Sequence, residues 1–259
     1  MTRIISGVAL AVATLAAIRF LPFEALRAVA CAVAALAADE YVRLTAGGRS
    51  LVGWIVVAGV VYTTWRVAVP VPLNMVWLSI TVATWMAFVV VRQGRTLHEA
   101  AAGIVAPLYI GAPLGMLVAL HGQAGWKGTL VLLATVVVSD SAQYYTGRFF
   151  GRHLLAPSIS PKKTIEGALG GIVAGVLLMA YAIRFVFPAT PAVTRVLLGV
   201  VVVLFGIVGD LFESRLKRLA RLKDSSSLIP GHGGVLDRID ALLFAIPVFY
   251  LMVVQGRLA

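Results

Sequence analysis

The chain has 259 residues, 60% hydrophobic and 13% charged, with a formal net charge of +11. So apolar a composition leaves too few polar side chains to coat a soluble domain of this length, and points to a protein whose solvent is mostly lipid. A pI near 10.4 would direct attention to nucleic acid in a soluble chain. Here the basic residues fit the cytoplasmic flanks of membrane spans, so no nucleic-acid partner is expected.

Apolar runs long enough to cross a hydrocarbon core of roughly 30 Å recur along the whole chain. They divide it into nine spans: 4–20, 22–38, 51–69, 73–91, 104–121, 127–147, 167–187, 193–213 and 239–256. The expected fold is an all-α polytopic bundle of about nine transmembrane helices, since the short alternating strands of a membrane barrel are missing from the pattern. The segment Arg3 to Phe20 has the basic start and apolar centre of a signal peptide, but no small-residue cleavage site leads into a polar mature domain; it reads as a retained first span. Pro22, between the first two spans, is consistent with either a tight hairpin or one irregular element. Cys31, the single cysteine, sits among alanines and reads as a packing residue.

Alternating sides along these spans puts 15 of the 22 Lys and Arg residues on one face of the membrane. The positive-inside rule then gives a cytoplasmic N-terminus and an outward C-terminus in an integral protein of the cytoplasmic membrane, with the active site facing the cytoplasm. Two connections, 148–166 and 214–238, are longer than the rest and strongly basic, and both fall on the cytoplasmic side. Acidic residues are sparse before position 140 (Glu24, Asp39, Glu40 and Glu99) and crowded after it. Any chemistry is therefore expected in the C-terminal half, 127–259, with motifs at 139–167 and 210–240, and 1–126 is expected to be a transmembrane scaffold for lipid access and dimerisation. Gly167, Gly171 and Gly175 recur every fourth residue, which suits close helix packing.

Three constellations carry chemistry. In the first, Asp210, Glu213, Ser214 and Lys217 fall on one face if the eighth span continues as helix. A carboxylate at such a depth needs a polar cavity, a cation or an ion-pair partner. In the second, Asp237 and Asp240 share a face in the opening turn of the ninth span. Between these two groups lie Lys217, Arg218, Arg221, Lys223 and the run Pro230-Gly231-His232-Gly233-Gly234. Basic side chains bind phosphate oxygens and glycines let backbone amides approach an anion, so the arrangement describes a metal-phosphate site suited to Mg2+. A solvated basic loop holding anionic headgroups is the plainer alternative. In the third, Ser139, Asp140, Gln143 and Tyr144 lead towards Ser160-Pro161, which reads as an N-cap and first helical position, with Lys162, Lys163 and Thr164 in the first turn as an anion site.

The run Ser214-x2-Lys217-Arg218-x4-Lys223-Asp224-x-Ser226-x2-Ile229-Pro230-x-His232-Gly233-Gly234-Val235-x-Asp237-Arg238-Ile239-Asp240 resembles the signature of the phosphatidate cytidylyltransferases, or CDP-diacylglycerol synthases. The stretches Ser139-Asp140 to Gly147-Arg148, Ala156-Pro157, Ser160 to Thr164 and Glu166-Gly167 are also similar to that family. Gln143 stands in a segment that departs from the more apolar sequence expected there. The resemblance covers the motifs of 139–240; the N-terminal half agrees only in being hydrophobic.

This resemblance implies transfer of CMP from CTP to phosphatidic acid, giving CDP-diacylglycerol and pyrophosphate. It implies Asp210 and Asp237 as metal ligands, with Asp140 and Asp240 as further contributors, and Mg2+ as the cofactor, with room for a second metal or monovalent cation. Lys217, Arg218, Lys223 and Arg238 would grip phosphates, and Lys162, Lys163 and Thr164, with Ser214, Gly233 and Gly234, would bind substrate. His232 would orient a phosphate, donate a proton to pyrophosphate, or cap the loop. The expected partners are CTP, phosphatidic acid and the bilayer, and the glycine-rich faces leave room for a homodimer. The rival readings are a CTP-dependent polyprenol or lipid kinase, which would release CDP, and a non-enzymatic transporter, which would place its acids near mid-span.

Overall fold

A computed structural model describes residues 2–46, 51–69, 103, 105–229, 231 and 233–254. The span expected at 73–91 lies outside the described residues. The described chain is mostly helical: α1 (Thr2–Phe20), α2 (Phe23–Ala46), α3 (Leu51–Val67), a π-turn at Pro107–Gly111, α4 (Ala112–Phe150), α5 (Ile165–Ala182), α6 (Ala192–Leu219) and α7 (Leu236–Val254). One two-stranded hairpin, β1 (Leu154–Ala156) with β2 (Ser160–Thr164), precedes α5. The chain groups into two compact units, Met1–Ala119 with Leu219–Ile239, and Leu120–Arg218 with Asp240–Ala259.

In the first unit the break expected at Pro22 separates α1 from α2, whose first turn is closed by the Pro22 carbonyl accepting from Leu26 N at 3.0 Å. Ala30, Ala34, Ala37, Ala38 and Tyr41 are buried, and their spacing traces one face of α2. Such small residues leave room for close approach, and α2 packs on α3. The π-turn and α4 close on α3 in the same way. A Cβ at Gly111 would lie 2.7 Å from the Val60 carbonyl oxygen, and one at Gly115 2.8 Å from that of Thr64. Thr64 adds a hydroxyl bond to Gly111 O at 3.2 Å. The buried Arg27 is fully engaged: its Nε and Nη2 donate to Trp65 O at 3.1 and 2.7 Å, its Nη1 reaches Glu24, and its guanidinium stacks on the Trp65 ring.

The fifth and sixth expected spans form one assigned helix, α4, interrupted at Gly125, where φ 64 and ψ −175 are not helical. Glycine takes this left-handed value without steric cost. Beyond the break, α4 and α5 meet through the glycine repeat read from the sequence. A Cβ at Gly167 would lie 2.7 Å from Gln143 O, one at Gly171 2.9 Å from Ser139 O, and one at Gly175 3.2 Å from the Ser139 Cβ. On α6, Gly199 admits the Val176 backbone and Gly209 admits Asp240 O and the Phe244 side chain.

The outer face of α5 is the reverse of a soluble helix. Gly167, Gly171, Gly175 and Met179 are buried, while Leu169, Val173, Leu177 and Tyr181 are all more than half exposed. Small residues inside and large apolar ones outside are the arrangement of a helix that meets lipid. The segments Ile165–Phe185 and Ala192–Leu219 are each long and apolar enough to cross a membrane. The chain is a membrane protein.

One expectation is overturned. Ser160-Pro161 does not cap a helix, and Lys162, Lys163 and Thr164 do not form its first turn. Ser160–Thr164 is a strand, paired antiparallel with β1 in an irregular register, Leu154 with Thr164 and Ala156 with Ser160. Pro161 falls within the irregularity, where a missing N–H costs no ladder bond. The helix starts at Ile165, and Thr164 is its N-cap, in extended conformation with its hydroxyl accepting from Gly167 N at 3.1 Å. Cap chemistry is present as read, four residues further on.

Candidate active site

The site residues fall into two groups, one in each unit. In the second unit α6 continues as helix through Leu219, which puts Asp210, Glu213, Ser214 and Lys217 on one face as the spacing predicted. Ser214 Oγ donates to Asp210 Oδ1 at 3.4 Å, and the buried Glu213 carboxylate is paired with the Lys217 ammonium one turn on. Lys163, at the end of β2, forms an ion pair with Asp210. Strand β2 therefore delivers its lysine to α6 directly. Asp240 lies in the electrostatic field of Asp210, Asp140 and Lys217, so three carboxylates and two lysines share one region of this unit.

Asp140 is exposed near the C-terminal end of α4. Gln143, the position that departs from the family pattern, donates to Asp140 Oδ1 at 3.1 Å and to Ser139 Oγ at 3.3 Å. It thereby fixes the Asp140 carboxylate while its own stem backs onto Gly171. The hairpin is held to this region at both ends. Glu166 accepts from Arg152 N and His153 N at 3.0 and 3.2 Å, with His153 Nδ1 2.6 Å from its other oxygen. Arg218 Nε donates to Ile159 O at 3.2 Å. Lys162 is exposed on β2.

In the first unit the loop after α6 folds around two carboxylates. Oδ2 of Asp237 accepts from Ser225 N at 2.9 Å, Ser225 Oγ at 2.8 Å and Gly234 N at 2.8 Å. Gly233 adopts φ 79, a value costly for any residue with a Cβ, and its carbonyl accepts from Ile229 N at 2.8 Å. A Cβ at Gly233 would come within 2.6 Å of Asp237 Oδ2. Lys223 and Arg238 are exposed; Pro230 and His232 lie outside the described residues.

The second carboxylate belongs to Glu40 on α2, which is buried. Its two oxygens accept from Ser226 Oγ at 2.7 Å, Val235 N at 3.0 Å, Ser225 Oγ at 2.8 Å and Leu236 N at 2.8 Å. Sequence reasoning counted Glu40 among the sparse acids of the scaffold half and gave it no role. No local signal marks it out, because its partners lie far along the chain. Asp39 and Glu40 end an apolar run together with Arg43 within one turn of both, and Arg43 pairs with Asp39.

Among the described residues, no three of His, Cys, Asp and Glu form a cluster that could enclose a metal alone. The acids Asp140, Asp210 and Asp240 do offer hard oxygen donors beside lysines, which fits an ion that takes one or two carboxylates and completes its shell with phosphate oxygens and water.

Helices with large apolar residues outward and with acids and lysines gathered in one region describe a membrane protein with a charged polar site. The chain belongs to the cytidylyltransferase family, whose profile matches residues 1–255. It is 32% identical to a phosphatidate cytidylyltransferase of Thermotoga maritima over 97% of this chain and 95% of the relative. It is 36% identical to that of Bacillus subtilis over 63% of this chain and 62% of the relative. For the Aquifex aeolicus protein of the same name the figure is 41% over 50% of this chain and 48% of the relative.

Proposed function

We propose that the chain transfers the cytidylyl group of CTP to phosphatidate, giving CDP-diacylglycerol and pyrophosphate in phospholipid synthesis. The observation that carries this reading is the near full-length match to a phosphatidate cytidylyltransferase, joined to a signature loop whose carboxylates and glycines are mutually fitted.

A phosphatidate oxygen attacks the α-phosphorus of CTP, the bond from that phosphorus to the oxygen bridging to the β-phosphate breaks, and the electron pair leaves on pyrophosphate. Phosphatidate is already ionised near neutral pH, so no side chain has to remove a proton from the nucleophile. The protein's task is to bring two polyanions together in line and to stabilise charge on the leaving group. Lys162, Lys163, Lys217 and Arg218 serve that task in the second unit, and Lys223 and Arg238 in the first. The ion pairs Lys163–Asp210 and Lys217–Glu213 keep two of these ammonium groups in place, poised against acids that an arriving phosphate would replace. Asp210 and Asp237 are the proposed Mg2+ ligands, with Asp140 and Asp240 contributing. The bound cation would screen the phosphates and polarise the reacting phosphoryl oxygens. The cytoplasmic-side placement rests on the distribution of Lys and Arg along the sequence.

The test is incubation of the detergent-purified protein with phosphatidate, CTP and Mg2+, followed by mass spectrometry of lipid and nucleotide. CDP-diacylglycerol with equimolar pyrophosphate is the expected result. Release of CDP with a phosphorylated lipid would replace the reading by a kinase, and unchanged CTP with several lipid acceptors would replace it by transport or binding.

A further inference from the structure

We infer that Glu40 is a positioning residue of the catalytic loop: from α2 it clamps Ser225, Ser226 and the first turn of α7, and through Ser225 it sets the Asp237 carboxylate. The inference rests on the cytidylyltransferase reading of Asp237, while the clamp itself is a property of the fold.

Four donors converge on this one carboxylate, from positions 185 to 196 residues later in the sequence. Two are side-chain hydroxyls of the loop. The other two, Val235 N and Leu236 N, are backbone groups at the start of α7, where the first N–H groups of a helix have no intrahelical acceptor. A carboxylate at that point satisfies them and lies at the favourable end of the helix dipole. The space it occupies is reserved by Gly234, where a Cβ would collide with both the Glu40 carboxylate and Ser225 Oγ.

Ser225 is the link. Its hydroxyl lies 2.8 Å from a Glu40 oxygen and 2.8 Å from Asp237 Oδ2, and its backbone N–H also donates to Asp237. One hydroxyl proton is thus shared between two acceptors, one on each carboxylate. Moving or neutralising Glu40 changes how that proton is shared and frees the segment on which Asp237 depends. Replacement by Gln keeps one carbonyl oxygen but turns an NH2 group towards two of the donors. A hydroxyl can rotate to accept from it; a backbone N–H cannot.

The experiment compares wild type, Glu40→Gln, Ser225→Ala and the double variant, purified in detergent. Hydrogen exchange of the 224–236 peptides is read without substrate or metal, and kcat, KM and the Mg2+ dependence of CDP-diacylglycerol formation are read with them. Glu40→Gln is expected to speed exchange of that segment at least tenfold and leave other peptides unchanged. It should lower kcat by about 10–100-fold, the range in which residues that orient ligands act, and raise the half-maximal Mg2+ concentration. The double variant should be no worse than the poorer single one, because both cut the same link. Unchanged exchange at 224–236, or a loss of active protein with unaltered Mg2+ dependence, would overturn the inference. Should Glu40→Gln fail to fold, Ser226→Ala, which removes a single hydroxyl from the same carboxylate, is read by the same exchange assay and the same criterion. If wild type makes no CDP-diacylglycerol while Glu40→Gln loosens the loop, the functional reading fails and the clamp stands.

Discussion

Replacing Asp237 separates its two proposed duties, because Asn and Ala differ in what they leave to the loop. Oδ2 of Asp237 holds three donors at 2.8–2.9 Å. Hydrogen bonds to a charged group contribute about 1.5–3 kcal/mol and neutral ones about 0.5–1.5 kcal/mol. Neutralising the acceptor for three bonds would therefore cost about 3–4.5 kcal/mol if the site were dry, and less at a half-buried site where water screens the charge. Asp237→Asn, with its carbonyl oxygen in the Oδ2 position, should remain folded and monodisperse in detergent. Asp237→Ala removes the acceptor altogether and leaves two backbone N–H groups unmatched at about 1–3 kcal/mol each, so it should melt well below the Asn variant. Turnover should separate from stability. A ligand to the reacting centre should cost more than 1,000-fold in kcat, or roughly 4 kcal/mol in the barrier, in both variants alike. CDP-diacylglycerol formation by mass spectrometry, beside thermal melts of the same preparations, reads both quantities. If Asp237→Asn kept kcat within tenfold of wild type, Asp237 would serve the loop alone and its assignment to the reaction would fall.

Gly171→Val should destabilise the second unit by about 1–3 kcal/mol, because its Cβ would stand 2.9 Å from the Ser139 carbonyl, a backbone atom that cannot swing aside; an unchanged melting temperature would refute the close packing of α4 on α5. Thr164→Val removes the N-cap acceptor for Gly167 N and should cost about 1 kcal/mol, seen as faster hydrogen exchange confined to the first turn of α5.

What the sequence made legible follows from the range of the interactions involved. Helices are local, and apolar runs with a lipid solvent leave them no competitor, so the described parts of the spans outside 73–91 are mostly helical, with the fifth and sixth joined in α4. The face shared by Asp210, Ser214 and Lys217 needed only 3.6-residue periodicity, and the glycine repeat of α5 only the rule that small residues permit close approach. The hairpin was misread because Ser160-Pro161 satisfies a local cap rule, while its pairing with Leu154–Ala156 is decided by the Glu166 contacts to Arg152 and His153 and by the capping hydroxyl of Thr164. The local rule pointed to Ser160 alone; that Thr164 caps the helix instead was decided by tertiary contacts. Glu40 was out of reach for the same reason in stronger form, since its partners begin 185 residues away and no local pattern encodes them.

The glycines of the signature loop show how the site's work is divided. Read from sequence, Gly233 and Gly234 bring backbone amides close to a substrate phosphate. In the fold, the space left by the absent side chains is already taken: Asp237 Oδ2 stands against Gly233, and Ser225 with Glu40 against Gly234. Gly234 N, Val235 N and Leu236 N are likewise committed to protein carboxylates. These anion-seeking groups at the start of α7 are thus neutralised by acids of the chain itself, which leaves phosphate recognition to side chains with net positive charge. On the proposed function, that accounts for a loop bracketed by acids and filled with Lys and Arg: the acids shape the backbone, and the exposed Lys223 and Arg238 would supply the charge that a triphosphate requires. A loop organised by its glycines alone would bind phosphate through amides and tolerate loss of its lysines and arginines; one organised by Glu40 and Asp237 would not.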